Sequence, residues 1–351
     1  MTRRFILHAP NVHTGGGLVL LKSLLQAWQG QGPLIAYLDA RAQETLQPPP
    51  GAEVFWVRAT AAGRLQAERH VHSSSRPGDT LLCFHGLPPL FTVKGHVAVF
   101  LQNRHLLGLS KLADFAWRTR LRLGLERLVC RLFQGRVHEY LVQTPTMAEL
   151  VRRWSRRAGG RGEPPIRVLP FADLPGPLAE TEPERVDPPE WDFIYPADGE
   201  SHKNHLRLLD AWRVLSLRGV RPSLVLTLGP RDQALARLVE TYRTQYGVNV
   251  HDLGQRPHAE VLALYQRSGA LVFPSLAESF GLPLVEAQRC GLPIVASELD
   301  FVRDVCEPAQ TFDPQSAQSI ARAVERFIGM PAPGIRLNTP ADFLATLWSP
   351  Q

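Results

Sequence analysis

Short apolar runs alternate with segments of helical periodicity along the chain. Runs such as residues 5–9 have the length and composition of buried strands, whereas residues 203–218 repeat apolar positions at the spacing of an amphipathic helix. Regular alternation of the two kinds of segment is typical of parallel sheets covered by helices on both faces. The pattern therefore predicts an α/β fold made of doubly wound, Rossmann-like sheets.

The predicted strands form two groups, separated by a proline-rich stretch. Nine prolines lie between Pro164 and Pro196, where neither a regular helix nor a central strand is expected. The 351-residue chain is also longer than one hydrophobic core usually serves. We therefore predict Rossmann-like domains at residues 1–170 and 191–335, a linker at 171–190 and a terminal segment at 336–351 that packs back on the first domain. The predicted strands are 5–9, 34–38, 54–57, 80–84, 97–101, 139–142 and 166–169, then 193–195, 223–228, 248–253, 270–273, 293–296 and 310–312.

Composition narrows the class of protein. Hydrophobic residues make up 44% of the chain and charged residues 21%, which indicates a folded globular protein. We find no signal-peptide pattern and no run of about 20 apolar residues that would span a bilayer. The four cysteines form no Cys-x-x-Cys pair, so neither a zinc site nor a disulfide framework is indicated. A cytoplasmic protein is expected.

Positive charge is concentrated in one segment. The chain has a net charge of +6, but residues 104–161 contain 13 Lys or Arg against four acids, a balance of +9. Two interpretations remain open for a helical apolar stripe within it: packing on the sheet beneath a solvated basic face, or peripheral contact with an anionic membrane. No nucleic-acid-binding motif accompanies the charge, so no nucleic acid is expected as a partner. The stripe consists of Trp117, Leu121, Leu125, Leu128 and Leu132, interleaved with arginines.

Doubly wound sheets bind ligands at the carboxyl ends of their strands, so the loops there carry the candidate chemistry. Neither half contains a G-x-G-x-x-G fingerprint or a Walker A loop, which argues against a dehydrogenase or a P-loop kinase. The most informative loop is 274–287, which follows a predicted strand, turns at Phe280 and Gly281, and begins a helix with Pro283 in its first turn. The free amides of that turn form a site for a phosphate or another polar group.

Two acids belong to this loop and helix. Glu286 lies near the helix start and is expected to be exposed at the cleft mouth, where its two oxygens match a ribose diol. Glu278, eight residues earlier, can reach a sugar hydroxyl. The alternative is that Glu286 complements the helix dipole and Glu278 is a solvated loop acid. For either acid alone the two interpretations are equally supported, whereas the whole run of residues 274–287 favours a binding site.

The run from Glu278 to Glu286, continued by residues 290–297, resembles the Glu-x7-Glu motif of retaining GT-B glycosyltransferases of family 4. The sequence His202-Lys203-Asn204 supports the resemblance, which extends over residues 191–328. It implies a GT-B fold, with two Rossmann-like domains facing across a cleft. It also implies transfer of a hexose from a nucleotide diphosphate sugar with retention of configuration.

The resemblance also implies residue roles. Glu286 is expected to hold the ribose, Glu278 to lie near the donor sugar, and Lys203 to bind the diphosphate and stabilise charge on the leaving phosphate. Where many members have an arginine five residues before that lysine, this chain has Asp198, so Arg256 on another loop is a candidate substitute. The remaining donor-binding candidates are Asn204, Ser279, Phe280, Gly281 and Leu282.

The first domain offers fewer candidates. Gly15, Gly16 and Gly17 follow the first strand and resemble the family's glycine loop, where backbone can approach a diphosphate or sugar. The alternative for them is tight helix–strand packing. His105, which follows a later strand, is a candidate active-site residue, although the register leaves Gln102 and Asn103 open as well.

The expected mechanism needs neither a metal ion nor another cofactor. The chain has no Asp-x-Asp motif, and the resemblance implies that the departing phosphate takes the acceptor's proton on the same face. Residues 195–205 resemble bacterial surface-polysaccharide mannosyltransferases, which favours GDP-mannose as donor and a glycan or lipid-linked acceptor in polysaccharide or O-antigen synthesis. A catalytically silent GT-B scaffold and a sugar-nucleotide epimerase remain the alternatives.

Overall fold

The structure is a computed structural model that describes residues 3–29, 32–108, 117–157, 165–172 and 186–330. Most of the predicted linker and all of the predicted terminal segment 336–351 lie outside these residues. All thirteen strands expected from the sequence are present, each with boundaries within two residues of the expectation. Two parallel sheets result, as the alternating pattern predicts.

The first sheet has seven parallel strands in the order β3-β2-β1-β4-β5-β6-β7. Because alternate residues of a strand point to opposite faces, Ile6 and Leu7 enter different cores on the two sides of this sheet. The strands are β1 (Phe5–Ala9), β2 (Leu34–Asp39), β3 (Glu53–Val57), β4 (Thr80–Cys83), β5 (His96–Phe100), β6 (Glu139–Val142) and β7 (Ile166–Val168).

Among the described residues, four helices cover the first sheet. α1 (Gly15–Gln26) packs on one face, and α2 (Ala61–Ser74), α3 (Trp117–Phe133) and α4 (Pro145–Arg157) contribute to the core on the other. α4 begins as the sequence predicts, because the Thr144 hydroxyl accepts a hydrogen bond from the Met147 amide at 3.2 Å.

The packing of α3 contradicts one of the two interpretations of its apolar stripe. Its fully buried side chains are Leu123 and Cys130. The apolar stripe from Trp117 to Leu132 is exposed, so the interpretation in which that stripe packs on the sheet is wrong.

The second sheet has six parallel strands in the order β10-β9-β8-β11-β12-β13, around one continuous core. Its strands are β8 (Trp191–Tyr195), β9 (Leu224–Leu226), β10 (Val250–Asp252), β11 (Ser268–Phe273), β12 (Ile294–Ser297) and β13 (Gln310–Phe312). Its helices are α5 (His205–Leu217), α6 (Gln233–Tyr246), α7 (His258–Gln266), α8 (Leu282–Arg289), α9 (Asp300–Arg303) and α10 (Ala317–Phe327).

Both strand orders place a topological switch point beside the first strand of each sheet. In the first sheet, connections leave β1 and β4 in opposite directions, and in the second sheet the same holds for β8 and β11. The loops that follow these strands diverge and leave a crevice at the carboxyl ends, which is where such sheets bind ligands. The loops after β8 and β11 carry Lys203 and Glu278, the two groups expected to act on the donor.

Candidate functional site at the switch points

The β8–α5 loop is fastened to the β11–α8 loop by three sets of hydrogen bonds. The buried Tyr195 hydroxyl bonds the Lys203 carbonyl oxygen and the Ser275 hydroxyl, each at 2.9 Å. The Leu276 amide donates to the His202 carbonyl oxygen at 2.8 Å. The Asn204 side-chain amide donates to two backbone carbonyls, those of Pro274 and Pro314. Lys203 is therefore held in a fixed position by the fold.

Asn204 fastens its own loop through its side-chain amide, and its expected contact with the donor stays a prediction. It has a φ of 64°, in the left-handed region that asparagine tolerates better than most residues. Both of its amide hydrogens are engaged within the protein. Its visible role is to start α5 and to fix the neighbouring Lys203.

Lys203 and Glu278 form an ion pair at the crevice. Lys203 Nζ lies 2.7 Å from Glu278 Oε1, and the two side chains are 17% and 11% exposed. Burial lowers the pKa of Lys203, but the carboxylates of Glu278, Asp198 and Glu200 outweigh it, and the net pKa is raised. The ammonium therefore stays charged. Glu278 is thus not a solvated loop acid: it neutralises the lysine that is expected to meet a diphosphate.

The first domain contributes a cation to the same place. The Arg104 amide donates to the Ser279 hydroxyl at 3.1 Å, and its guanidinium donates to the Glu278 carbonyl oxygen at 3.5 Å. Burial lowers the pKa of Arg104, a shift opposed by the charge of Glu278, and its Nε is buried without a hydrogen-bond partner. Sequence reasoning missed this residue, although it lies in the Gln102–His105 stretch that follows β5.

His105 lies beside the ion pair, packed edge-on against the ring of His202 with centroids 5.3 Å apart. Burial, Arg104 and Arg127 lower the pKa of His105. Burial, Lys203 and His105 lower the pKa of His202 to about 3. Both rings are neutral at physiological pH, so each can accept or donate one hydrogen bond.

The structure brings one cluster with the ligand types of a metal site to this crevice: His105, Glu200 and His202 offer ligand atoms within 4.8 Å of one another. The neighbouring Lys203 and Arg104 are cations that depress the pKa of His202. These two cations oppose a divalent ion at the cluster, whereas the nearby carboxylates of Asp198 and Glu278 favour one. In a second such cluster of the described residues, His8, Glu68 and His85, the Arg64 guanidinium lies 3.2 Å from His85 Nε2 and opposes a cation.

Glu286 corrects an expectation. It lies in α8 but is only 8% exposed, and its carboxylate accepts a hydrogen bond from the Tyr265 hydroxyl at 3.2 Å and lies 2.9 Å from His258 Nε2. The expectation of an exposed helix-start acid is wrong, because the short α8 points this side chain inward beneath α7. A ribose would have to reach a carboxylate that already has two partners.

The α8 start meets the first domain directly. Gly281 precedes the helix with a φ of 78°, and a Cβ there would lie 3.0 Å from Leu284. Leu282 packs against the core of the first domain, and a Cβ on Gly16 would lie 2.9 Å from its Cδ1. Gly15, Gly16 and Gly17 begin α1 rather than forming a free loop. The absence of a side chain at Gly16 lets the two domains approach here.

The remaining candidates are Ser279, Phe280 and Arg256. Ser279 accepts from Arg104 and, through its carbonyl oxygen, from the Thr144 hydroxyl, so it joins the two domains. Phe280 lies between Ser279 and the α8 start and is partly buried. Arg256 lies before α7 and donates to Glu260 at 3.3 Å. The structure gives Arg256 no contact with Lys203, so its expected role as a substitute phosphate ligand stays a prediction.

Comparison with known proteins finds a family model that matches part of the chain. Residues 179–339 match the family model described as glycosyl transferases group 1. One relative is O-antigen chain mannosyltransferase B of Escherichia coli, 32% identical over 132 residues, which are 36% of this chain and 34% of the relative. The chain thus matches about a third of that relative's length.

Solved structures match nearly the whole chain. Sucrose-phosphate synthase from Thermosynechococcus elongatus has a TM-score of 0.67 at 17% identity and is covered over 90% of its length by 93% of this chain. HepE of Anabaena in complex with UDP-glucose has a TM-score of 0.65 at 16% identity, with 94% of this chain and 90% of that chain covered. At these identities the match establishes the fold, which is GT-B as expected. None of the described helices is long and apolar enough to cross a membrane.

Proposed function

We propose that the chain, which has the GT-B fold and matches the glycosyl transferases group 1 model over residues 179–339, transfers a hexose from a nucleotide diphosphate sugar. The observation that carries the proposal is the Lys203–Glu278 ion pair at the switch point of the second sheet, within the matched residues 179–339. A fixed ammonium at the carboxyl edge of a doubly wound sheet suits a diphosphate leaving group.

The charges of the crevice suggest how the donor enters. Lys203 is neutralised by Glu278 when no donor is bound, so a diphosphate must replace that carboxylate as partner of the ammonium. Glu278, once displaced, is a hydrogen-bond acceptor within reach of the sugar. Arg104 adds a second positive charge from the first domain, at a place where Asp198 removes the one that the family resemblance implies. Retention would follow if the departing phosphate takes the acceptor's proton on the same face.

The donor we propose is GDP-mannose, and the acceptor a glycan or lipid-linked glycan of bacterial surface-polysaccharide synthesis. The similarity of 132 residues of this chain to an O-antigen chain mannosyltransferase supports this choice. We further propose a cytoplasmic location with peripheral contact with an anionic membrane through the basic residues 104–161. We assign no metal, because the chain has no Asp-x-Asp motif and Lys203 and Arg104 offer positive charge for a diphosphate.

A thermal-shift screen against GDP, UDP, dTDP and ADP sugars tests the donor. A nucleotide sugar that binds the folded state raises the melting temperature by mass action. We expect the largest shift with GDP-mannose. No shift with any of these sugars would contradict a donor site, and a larger shift with a UDP sugar would replace the proposed donor while keeping the function.

Product analysis separates the proposal from its two alternatives. A transferase consumes donor at a useful rate only with an acceptor, an epimerase changes the donor sugar without one, and a silent scaffold binds donor without changing it. Incubation of donor with and without a lipid-linked glycan extract, followed by mass spectrometry, therefore distinguishes the three.

A further inference from the structure

The outer face of α3, which we define as Trp117, Leu121, Leu125, Leu128 and Leu132, is apolar and turned to solvent. Its five side chains are 50–71% exposed. Their spacings of four, four, three and four residues place them on one side of the helix. The other exposed large apolar side chains of the described residues are scattered over several elements.

This arrangement inverts the usual polarity of a surface helix. A helix on a sheet normally buries its apolar face and exposes polar residues. α3 buries Leu123 and Cys130 on the sheet side and presents most of its apolar surface on the opposite side. Contiguous apolar patches of this kind on a folded protein mark an interaction surface.

The charges bordering the patch identify its partner. Arg120, Arg122 and Arg131 are exposed, and at about 100° per residue the first and third lie along one edge of the patch and the second along the other. The one acid of α3, Glu126, is 21% exposed and lies 4.0 Å from Arg122. An apolar centre between basic edges fits the interface of an anionic bilayer, where arginines reach the headgroups while leucines enter the acyl region.

A second copy of the chain fits the same surface poorly. Pairing two outer faces would bring the arginine rows of both copies together, and like charges at an interface are unfavourable. A lipid surface meets both requirements at once, because it buries the leucines and supplies negative charge to the arginines.

We propose that the outer face of α3 docks the protein on an anionic lipid bilayer. α3 is also joined to the candidate site, because the Arg127 guanidinium donates to the His105 carbonyl oxygen at 2.8 Å. Docking through α3 would therefore hold the crevice at the membrane surface, where a lipid-linked acceptor is presented. The docking stands on α3 alone, whereas the statement about the acceptor rests on the proposed function.

Vesicle flotation of the full chain tests the docking. We expect binding to vesicles of equimolar phosphatidylcholine and phosphatidylglycerol, and far weaker binding to phosphatidylcholine alone. The double variant Leu121→Glu/Leu125→Glu should lower the partition coefficient by about 100-fold or more, because two inserted side chains become charged. Arg120→Glu/Arg131→Glu should lower it by about 10-fold and reduce its salt dependence.

The matched control is Leu206→Glu/Leu217→Glu on α5 of the other domain, where the leucines are 60% and 78% exposed. It should bind vesicles like the wild type. Equal loss in both double variants, or equal binding to neutral and anionic vesicles, would overturn the proposal. So would a dimer in sedimentation that the α3 variant converts to a monomer without any vesicle binding. Nucleotide-sugar affinity, measured without vesicles for each variant, reports separately on the proposed function and on folding.

Discussion

The two edges that meet at the crevice differ in charge. The edge of the second sheet carries three carboxylates, Asp198, Glu200 and Glu278, around one ammonium, Lys203. The edge of the first sheet contributes the Arg104 guanidinium, a neutral His105 and glycine backbone.

We infer from these charges that neither edge alone suits a diphosphate. The second has its cation already neutralised, and the first has a cation but only part of a site. A donor would be held fully only where both edges contribute, which requires the domains to be close. The family match covers only residues 179–339, on one side of this pair.

Loss of Lys203 should have the largest effect. Charge on the leaving phosphate grows as the glycosidic bond breaks, so Lys203→Ala should lower kcat by about 100-fold or more, with a smaller change in donor affinity. Lys203→Arg should rescue activity only in part, since a planar guanidinium cannot occupy the same point. Lys22→Ala, at an exposed lysine of α1, is the matched control. A near-normal kcat in Lys203→Ala would remove this residue from the chemistry.

Arg104 and Arg256 provide the test of whether the first domain supplies positive charge. Arg104→Gln should lower kcat/KM by about 10-fold, because a charge-assisted contact to phosphate is lost. Arg256→Gln should change it by less than about twofold, because its partner is Glu260 on the surface. Steady-state kinetics, measured for both variants over the same series of donor concentrations, shows which arginine contributes to kcat/KM. The reverse ranking would place the phosphate-binding charge back in the second domain.

The next prediction tests whether Glu286 of the second domain stabilises the fold, binds the donor, or does both. Glu286→Ala leaves the Tyr265 hydroxyl without its buried acceptor, so we expect unfolding free energy to fall by about 1–3 kcal/mol. If the carboxylate also holds the ribose, calorimetric donor affinity should fall about tenfold. Glu286→Gln retains the shape and an acceptor, and is the control for packing. Unchanged donor affinity together with lost stability would make Glu286 a structural residue only.

Acid should weaken the fold through buried histidines in both domains. Burial lowers the pKa of His8 and of His202 to about 3 and that of His205 to about 4, whereas an unfolded chain protonates histidine near pH 6.5. The unfolded state therefore binds more protons below about pH 6.5, and stability falls as pH falls from there towards 4, by about 1 kcal/mol per histidine for each pH unit.

Urea unfolding across that pH range measures this slope. His202→Gln should reduce the slope by the contribution of one histidine. An identical slope in wild type and His202→Gln would show that His202 titrates normally.

The sequence predicted the fold closely because strand and helix periodicities are local signals. All thirteen strands and the Thr144 cap of α4 follow from short windows of residues. The sequence also placed Lys203 and Glu278 on the loops after β8 and β11, and the structure brings the two side chains together at the switch point. What the sequence could not supply was side-chain direction.

Glu286 and the α3 leucines show why the sequence does not predict the direction in which a side chain points. A helical period gives the spacing of a stripe but not the side of the helix that meets the sheet, so exposure of the stripe on α3 was one of two open interpretations. Glu286 points inward because Tyr265 and His258, both on α7, contact its carboxylate, and these contacts span 21 and 28 residues of the sequence. Arg104 was missed for the same reason, since its contacts with Glu278 and Ser279 join the two domains.

We propose that the protein's own cations, rather than a metal ion, stabilise the departing diphosphate. Release of nucleotide diphosphate by the wild-type protein, with donor and acceptor present, can be measured before and after treatment with EDTA. We expect the same rate in both, because Lys203 and Arg104 supply the positive charge. Loss of turnover on chelation, with recovery on adding Mg²⁺ or Mn²⁺, would contradict it.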